Sequence, residues 1–230
     1  MIEYWFELRR RLLWCGVAYI SSFFVFFSLH EKILYWLSQS AALKDGRLLM
    51  SIHIVDPIVI PMQLAMSLSL LTVFPVVVYH LMLFIRPALY ERERHLLEVT
   101  AVMGVLLFYL GAIIGGVVIQ PVVLTFVQSW LPKEVLFSPT LSSYIDFCFD
   151  LAIAFGVAFE IPMVVMLLVI FHWLSVDWLR KMRPWWVTGI FALAMVLTPP
   201  DVYSQILLAV PMWLLVELVL WVGQYFSRGD

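Results

Sequence analysis

The sequence predicts an all-α, polytopic membrane protein of six helical spans with both ends on the same side. Three observations predict it. Apolar residues make up 63% of the 230-residue chain and charged residues 13%, against about 45–50% and about 25% in soluble domains. The apolar residues gather in six runs. Lys and Arg are shared unequally among the segments between those runs.

A spanning helix needs about 20 apolar residues. The runs at 12–29, 63–85, 97–119 and 145–171 meet that length, and shorter ones follow at 185–197 and 202–222. The gaps are too short for a soluble domain, so residues 1–230 read as one integral membrane domain. The two longer gaps, 30–56 and 120–143, fall on one side. The segment HEKILYWLSQSAAL in the first of them reads as an interfacial helix. Nothing at the N-terminus resembles a cleaved signal peptide, because the start is charged and amphipathic.

Orientation follows from Lys and Arg. Arg9, Arg10, Arg11, Arg86, Arg92, Arg94, Arg180, Lys181, Arg183 and Arg228 lie on one side; Lys32, Lys44, Arg47 and Lys133 lie on the other. The richer side is cytoplasmic, which puts both termini in the cytoplasm and requires an even number of spans.

The last two runs are short. Two ordinary crossings need roughly 40 residues, and 185–222 must also turn at Thr198-Pro199-Pro200-Asp201. The turn then lies below the far surface, or the bilayer thins there. Either way Asp201 and Gln205 come close to the membrane interior. Pro75, Pro162 and Pro211 lie inside spans and predict kinks, hence a curved, concave wall of helices. Gly111 and Gly115 form a small-residue face, read as close helix packing within the protein.

Enzyme signatures are absent. There is no HExxH, no GxSxG and no phosphate-binding glycine loop, and the five histidines have no ligand spacing. The chain is therefore read as a non-enzyme, with no metal and no cofactor. It lacks a basic footprint for nucleic acid. Cys15 and Cys148 begin spans that start on opposite faces, so they are read as unbridged small apolar residues.

Two polar sets remain. Glu160 stands in the apolar run FGVAFEIPMVV, where a carboxyl group is costly and functional by default. Pro162 has no N–H, so the carbonyl of Ala158 loses its helical partner one turn away. With Asp201, Gln205 and Glu217, Glu160 makes an embedded polar set. A neutral acid there can donate one hydrogen bond as well as accept, and so recruit a polar group from another helix. A buried structural network and a proton relay fit the same residues. The second set lies at the cytoplasmic face, in EYWFELRRRL and FIRPALYERERHLLE. Arg94 and Glu98 read as an i,i+4 surface pair. Glu7 and Glu93 are carboxylates that a basic ligand would meet, and a carboxylate discriminates guanidinium from ammonium by bidentate geometry.

These residues resemble a known family. Glu7-Leu8-Arg9, then Phe84, Pro87, Ala88, Leu89, Glu93 and Arg94, then Phe159-Glu160-x-Pro162, then Thr198-Pro199-Pro200-Asp201 with Ser204-Gln205, and Pro211 with Glu217 are similar to the motifs of TatC, the large integral subunit of the twin-arginine protein translocase. Tyr4 and Val216 depart from it, where the family often has His and an aromatic. The resemblance implies six spans in a glove-like shape, both ends cytoplasmic, in the bacterial inner membrane. It implies binding of twin-arginine signal peptides of folded cargo by Glu7, Arg9, Phe84 and Glu93. It also implies docking of the single-span partners TatA and TatB at Glu160, Thr198, Asp201, Gln205 and Glu217, contact with membrane lipids, further copies of the chain in the complex, and export driven by the proton-motive force. A proton-coupled secondary transporter using Glu160 and a passive scaffold stand as the alternatives.

Overall fold

The computed structural model describes residues 2–42, 54–130, 132, 139–197 and 202–227. Among these residues there are nine α-helices: α1 (Ile2–Ser28), α2 (His30–Ala42), α3 (Asp56–Ile85), α4 (Glu91–Ile113), α5 (Gln120–Ser129), α6 (Leu141–Ile170), α7 (Val176–Lys181), α8 (Arg183–Leu197) and α9 (Val202–Ser227). A 3-10 turn (Arg86–Ala88) joins α3 to α4, and a π-helical segment (Ile114–Ile119) joins α4 to α5. Among the described residues, four helical stretches are long and apolar enough to cross a membrane: Tyr4–Ser28, Asp56–Ile85, Arg94–Ser129 and Leu141–Ile170. The expected short final pair is present as α8 and as the apolar part of α9, Leu208–Trp221.

Most helices run past the expected spans, and three of the extensions have a local reason. α1 starts ten residues early because Glu, Leu and Arg are strong helix formers, whereas hydropathy marks only where lipid begins. α3 starts at Asp56, with Pro57 next; an acid and a proline both suit a first helical turn. The third span does not end at 119. The N–H of Gln120 meets the carbonyl of Gly115, five residues back, and this wider turn carries the helix past Pro121 to Ser129. Pro75, Pro162 and Pro211 all lie inside helices that continue on both sides.

The chain, read from sequence as one domain, divides into two compact units, Met1–Phe84 with Gln128–Asp150 and Ile85–Val127 with Leu151–Asp230. In the first unit, Ile60 and Leu64 of α3 bury against Ile145 of α6, and Ile33 and Leu34 of α2 pack on them. Gln63 donates to Asp146 at 3.2 Å and accepts from Ser142 at 3.1 Å. That pairing ties α3 to the start of α6 with few polar groups left over. Cys15 and Cys148 are free thiols, as expected.

In the second unit, α4 and its π-helical continuation lie against α6 at backbone distance. A Cβ on Gly111 would sit 2.6 Å from the carbonyl oxygen of Phe155, and one on Gly115 would sit 2.7 Å from that of Leu151. Gly156 of α6 returns the favour by receiving the ring of Phe108. The GAIIG face therefore packs within the protein. α6 ends where His172 takes φ 57°, and the N–H of Trp173 closes back on the carbonyl of Leu168 at 3.0 Å. Ser175 caps α7 by accepting from the N–H of Trp178. Val176 and Leu179 bury against Leu220 of α9, and the indole of Trp186 donates to the carbonyl of Leu179 at 3.1 Å.

Because no relaxation of a side chain clears the Phe155 carbonyl, Gly111→Ala is expected to destabilise the protein by about 1–3 kcal/mol. Gly189→Ala, with nothing within 4 Å of its new Cβ, should leave stability unchanged or slightly raised. Thermal denaturation of both variants in one detergent checks the contrast; equal melting temperatures would contradict it.

Candidate functional site

The N-terminal turns of α1 have two faces. Glu7 and Arg11 are four residues apart and share one side of the helix. Arg9, two residues from each, points about 200° away from Glu7 at 100° per residue. Burial agrees: Glu7 and Arg11 are half-buried, and Arg9 is exposed. Arg9 belongs with Trp5, Phe6, Leu12, Leu13 and Val17 on an open apolar face. Of the expected ligand residues on α1, only Glu7 faces α3.

There it already holds a guanidinium. Nε of Arg11 donates to Oε1 of Glu7 at 3.1 Å, Nη2 donates to the same oxygen, and Nη2 also donates to the carbonyl of Leu83 at 3.1 Å. The sequence explains why that carbonyl is open. Its helical partner would be the N–H of residue 87, which is Pro87, and proline has none. The last carbonyls of a helix also carry partial negative charge. Phe84, the next residue, is half-buried beside this knot. Arg11 was missed as a site residue because it looked like one cation among three; the i,i+4 spacing from Glu7 was the available signal.

Glu93 lies in the first turn of α4, in the second unit; its side chain, with that of Arg92, lies outside the described residues. Glu98 does not pair with Arg94 as expected. It meets Arg86 at 3.4 Å, and Nε of Arg94 is buried without a hydrogen-bond partner among the described residues. The 3-10 turn brings Arg86 back over α4, and this bridge takes the carboxylate that simple helical spacing assigned to Arg94.

Glu160 is half-buried on α6. Its Oε1 has no hydrogen-bond partner among the described residues. Facing it on α4 is Gly104, whose Cβ position lies 3.0 Å from Oε2 and 3.5 Å from Oε1. The carboxyl group therefore sits against bare backbone, with its buried Oε1 unsatisfied among the described residues. Sequence reasoning missed Gly104, since no spacing rule links it to Glu160. It also passed over Asp146 and Asp150, two further acids on α6.

The rest of the expected embedded set comes apart. Gln205 donates to the carbonyl of Phe191 at 3.1 Å, tying α9 to α8. Glu217 is about 18 Å further along α9 at 1.5 Å per residue. It forms an ion pair with Arg183 at the start of α8, with side-chain exposures of 23% and 54%. Glu217 is thus neutralised by a residue assigned from sequence to a loop outside the membrane, and shares no network with Gln205. Thr198 and Asp201 lie outside the described residues. Among the described residues no cluster of His, Cys, Asp and Glu could hold a metal ion.

The model of one protein family, Sec-independent protein translocase protein (TatC), matches residues 3–211. The chain belongs to the TatC family. It is 37% identical over 230 residues to the Sec-independent protein translocase protein TatC of Escherichia coli (strain K12), covering 99% of this chain and 88% of that one. It is 32% identical over 232 residues to the TatC of Haemophilus influenzae, covering 100% and 91%. A crystal structure titled twin arginine translocase receptor TatC, in DDM, superposes with a TM-score of 0.77 at 27% identity, covering 96% of this chain and 99% of that one. The chain is accordingly a multi-pass membrane protein and a component of the Sec-independent, twin-arginine translocase. The transporter alternative finds no support among these relatives.

The Arg183–Glu217 pair should couple α8 to α9 by about 0.5–1 kcal/mol. A double-mutant cycle of Arg183→Gln and Glu217→Gln, read by thermal unfolding, measures it. Strictly additive single-variant losses would mean the two side chains do not interact.

Proposed function

We propose that this chain is the receptor subunit of its translocase. It binds the twin-arginine signal peptides of folded proteins at its cytoplasmic face. It then assembles with single-span partners of the TatA and TatB type, in a complex holding further copies of itself, for export driven by the proton-motive force. The reading takes six spans, with α8 and α9 as the short fifth and sixth, and both termini cytoplasmic in the bacterial inner membrane. The single observation that carries it is the half-buried Glu7 carboxylate, which already accepts a guanidinium side-on beside Phe84. A carboxylate that accepts two donors of one guanidinium suits another guanidinium. The relative whose title calls it a receptor supports the same role. Glu93 is proposed as the second carboxylate. Arg9, turned away from Glu7, is left out of the direct contact.

Glu160 is proposed as the docking acid. Its Oε1, buried and without a partner among the described residues, supports this reading, because an unsatisfied buried acceptor gains from a donor that a partner helix brings. Thr198, Asp201 and Gln205 are proposed to extend that docking region along the hairpin.

Capture of a labelled Arg-Arg signal peptide should fall about tenfold in Glu93→Ala and in Glu7→Gln, a loss on the scale of one charge-assisted pair. Retained affinity in both variants, or equal binding of a Lys-Lys peptide, would overturn the receptor reading. Glu160→Ala is expected to keep peptide binding and lose co-purification of the single-span partners, while Glu160→Gln, still able to donate and accept, retains about half or more of it. Wild-type amounts of partners on Glu160→Ala would remove Glu160 from the docking region.

A further inference from the structure

We infer that Arg11 is a built-in competitor for the guanidinium site: it occupies Glu7 in the empty protein, and an incoming arginine must displace it. The inference rests on the proposed receptor reading and adds to it how the empty site is kept closed. Three features of the contact carry it. First, Arg11 offers the same chemical group as the ligand, and it spends two donors, Nε and Nη2, on one oxygen of Glu7. Second, its side chain is only 17% exposed, while that of Glu7 is 33% exposed. The acceptor thus faces solvent more than the cation that covers it, and a ligand can approach the carboxylate from outside. Third, Arg11 has somewhere to stay. Nη2 is shared with the carbonyl of Leu83, which Pro87 leaves without a helical donor.

That second acceptor makes the arrangement an exchange and not a simple ion pair. When the ligand takes Glu7, Arg11 need not enter water or remain as a bare buried cation. It keeps the end of α3, where the helix dipole favours positive charge. The swap trades one guanidinium–carboxylate pair for another, so part of the pairing energy cancels. Two consequences follow. The first arginine binds less tightly than it would to a free carboxylate. A lysine ligand is penalised further, since it must replace a two-donor guanidinium with a point charge.

Among the described residues, the groups hydrogen-bonded in this contact are Glu7 and Arg11 on α1 and the Leu83 carbonyl on α3. Two of those three groups can be changed by substitution. The test measures the affinity of a fluorescent synthetic Arg-Arg signal peptide for the full-length protein, purified with its partner subunits. Arg11→Gln should tighten binding at least threefold, and Arg11→Lys, which keeps the charge but loses the fork, should tighten it about twofold. In a Glu7→Gln background the Arg11→Gln effect should vanish. Arg10→Gln, the same charge change at an exposed neighbour, should have less than half the effect of Arg11→Gln.

Unchanged or weaker binding in both Arg11 variants overturns the competitor role, and leaves Arg11 as a residue that orients Glu7. Equal tightening by Arg10→Gln, or tightening that survives in Glu7→Gln, overturns it in favour of general charge repulsion. Should Arg11→Gln fail to fold, Arg11→Lys decides alone, because its net charge is unchanged. The receptor reading fails separately: if Glu7→Gln by itself leaves peptide affinity intact, Glu7 is not the site and the competitor falls with it, while the receptor reading falls only if Glu93→Ala leaves affinity intact as well. If Glu7→Gln weakens capture while neither Arg11 variant tightens it, only the competitor is lost.

Discussion

The second unit depends on two helices that approach to backbone contact at two glycines. At Gly111 and Gly115 the backbone of one touches the backbone of the other, so dispersion contacts form along the chains themselves. In a lipid surrounding there is little hydrophobic gain from bringing apolar helices together, and such close contact is the main remaining source of association. The same seam reaches Gly104, where the missing side chain leaves Glu160 facing backbone. One run of small residues thus serves packing at one end and leaves an acid unsatisfied at the other.

The guanidinium knot in the first unit obeys a different logic. It is made from an open carbonyl, a carboxylate and one cation, each incomplete alone. Pro87 removes a donor from the end of α3 and thereby creates the acceptor that fixes Arg11, which in turn fixes Glu7. A proline in a linking turn therefore organises a charge on a helix far from it in sequence. The hairpin of α8 and α9 uses the same economy, with the carbonyl of Phe191 near one end and the Arg183 cation at the other.

Much of this was legible in the sequence. The apolar runs located every long helix, because a membrane span is a long uniform signal. The ends were harder to read. α1 begins in a charged stretch that forms helix for reasons of propensity, which hydropathy does not register. The apolar run was ended at Ile119, whereas a π-helical turn carries the helix on through Gln120-Pro121. Glu7, Phe84 and Glu160 were found by residue type and motif. The family resemblance grouped Arg9 with Glu7, and a motif does not register that residues two apart on a helix stand nearly opposite. Arg11, Gly104 and the Arg86–Glu98 pairing depend on which elements come together, and single-chain spacing carries no such information.

The π-helical turn also does something for the helix that contains it. The buried positions Leu97, Thr100, Gly104, Leu107, Phe108, Gly111, Ala112 and Gly115 advance in steps of three and four, and Ile119 and Val123 then follow in steps of four. A strict α-helix turns in 3.6 residues, so the first stretch keeps one flank without help, whereas a stripe that advances in fours winds slowly around the rod. The wider turn from Ile114 to Ile119 lies where that longer step begins. It acts as a gear correction: the stretch from Arg94 to Ser129 keeps one flank inward, and every side chain beyond Ile119 takes its direction from a single irregular turn.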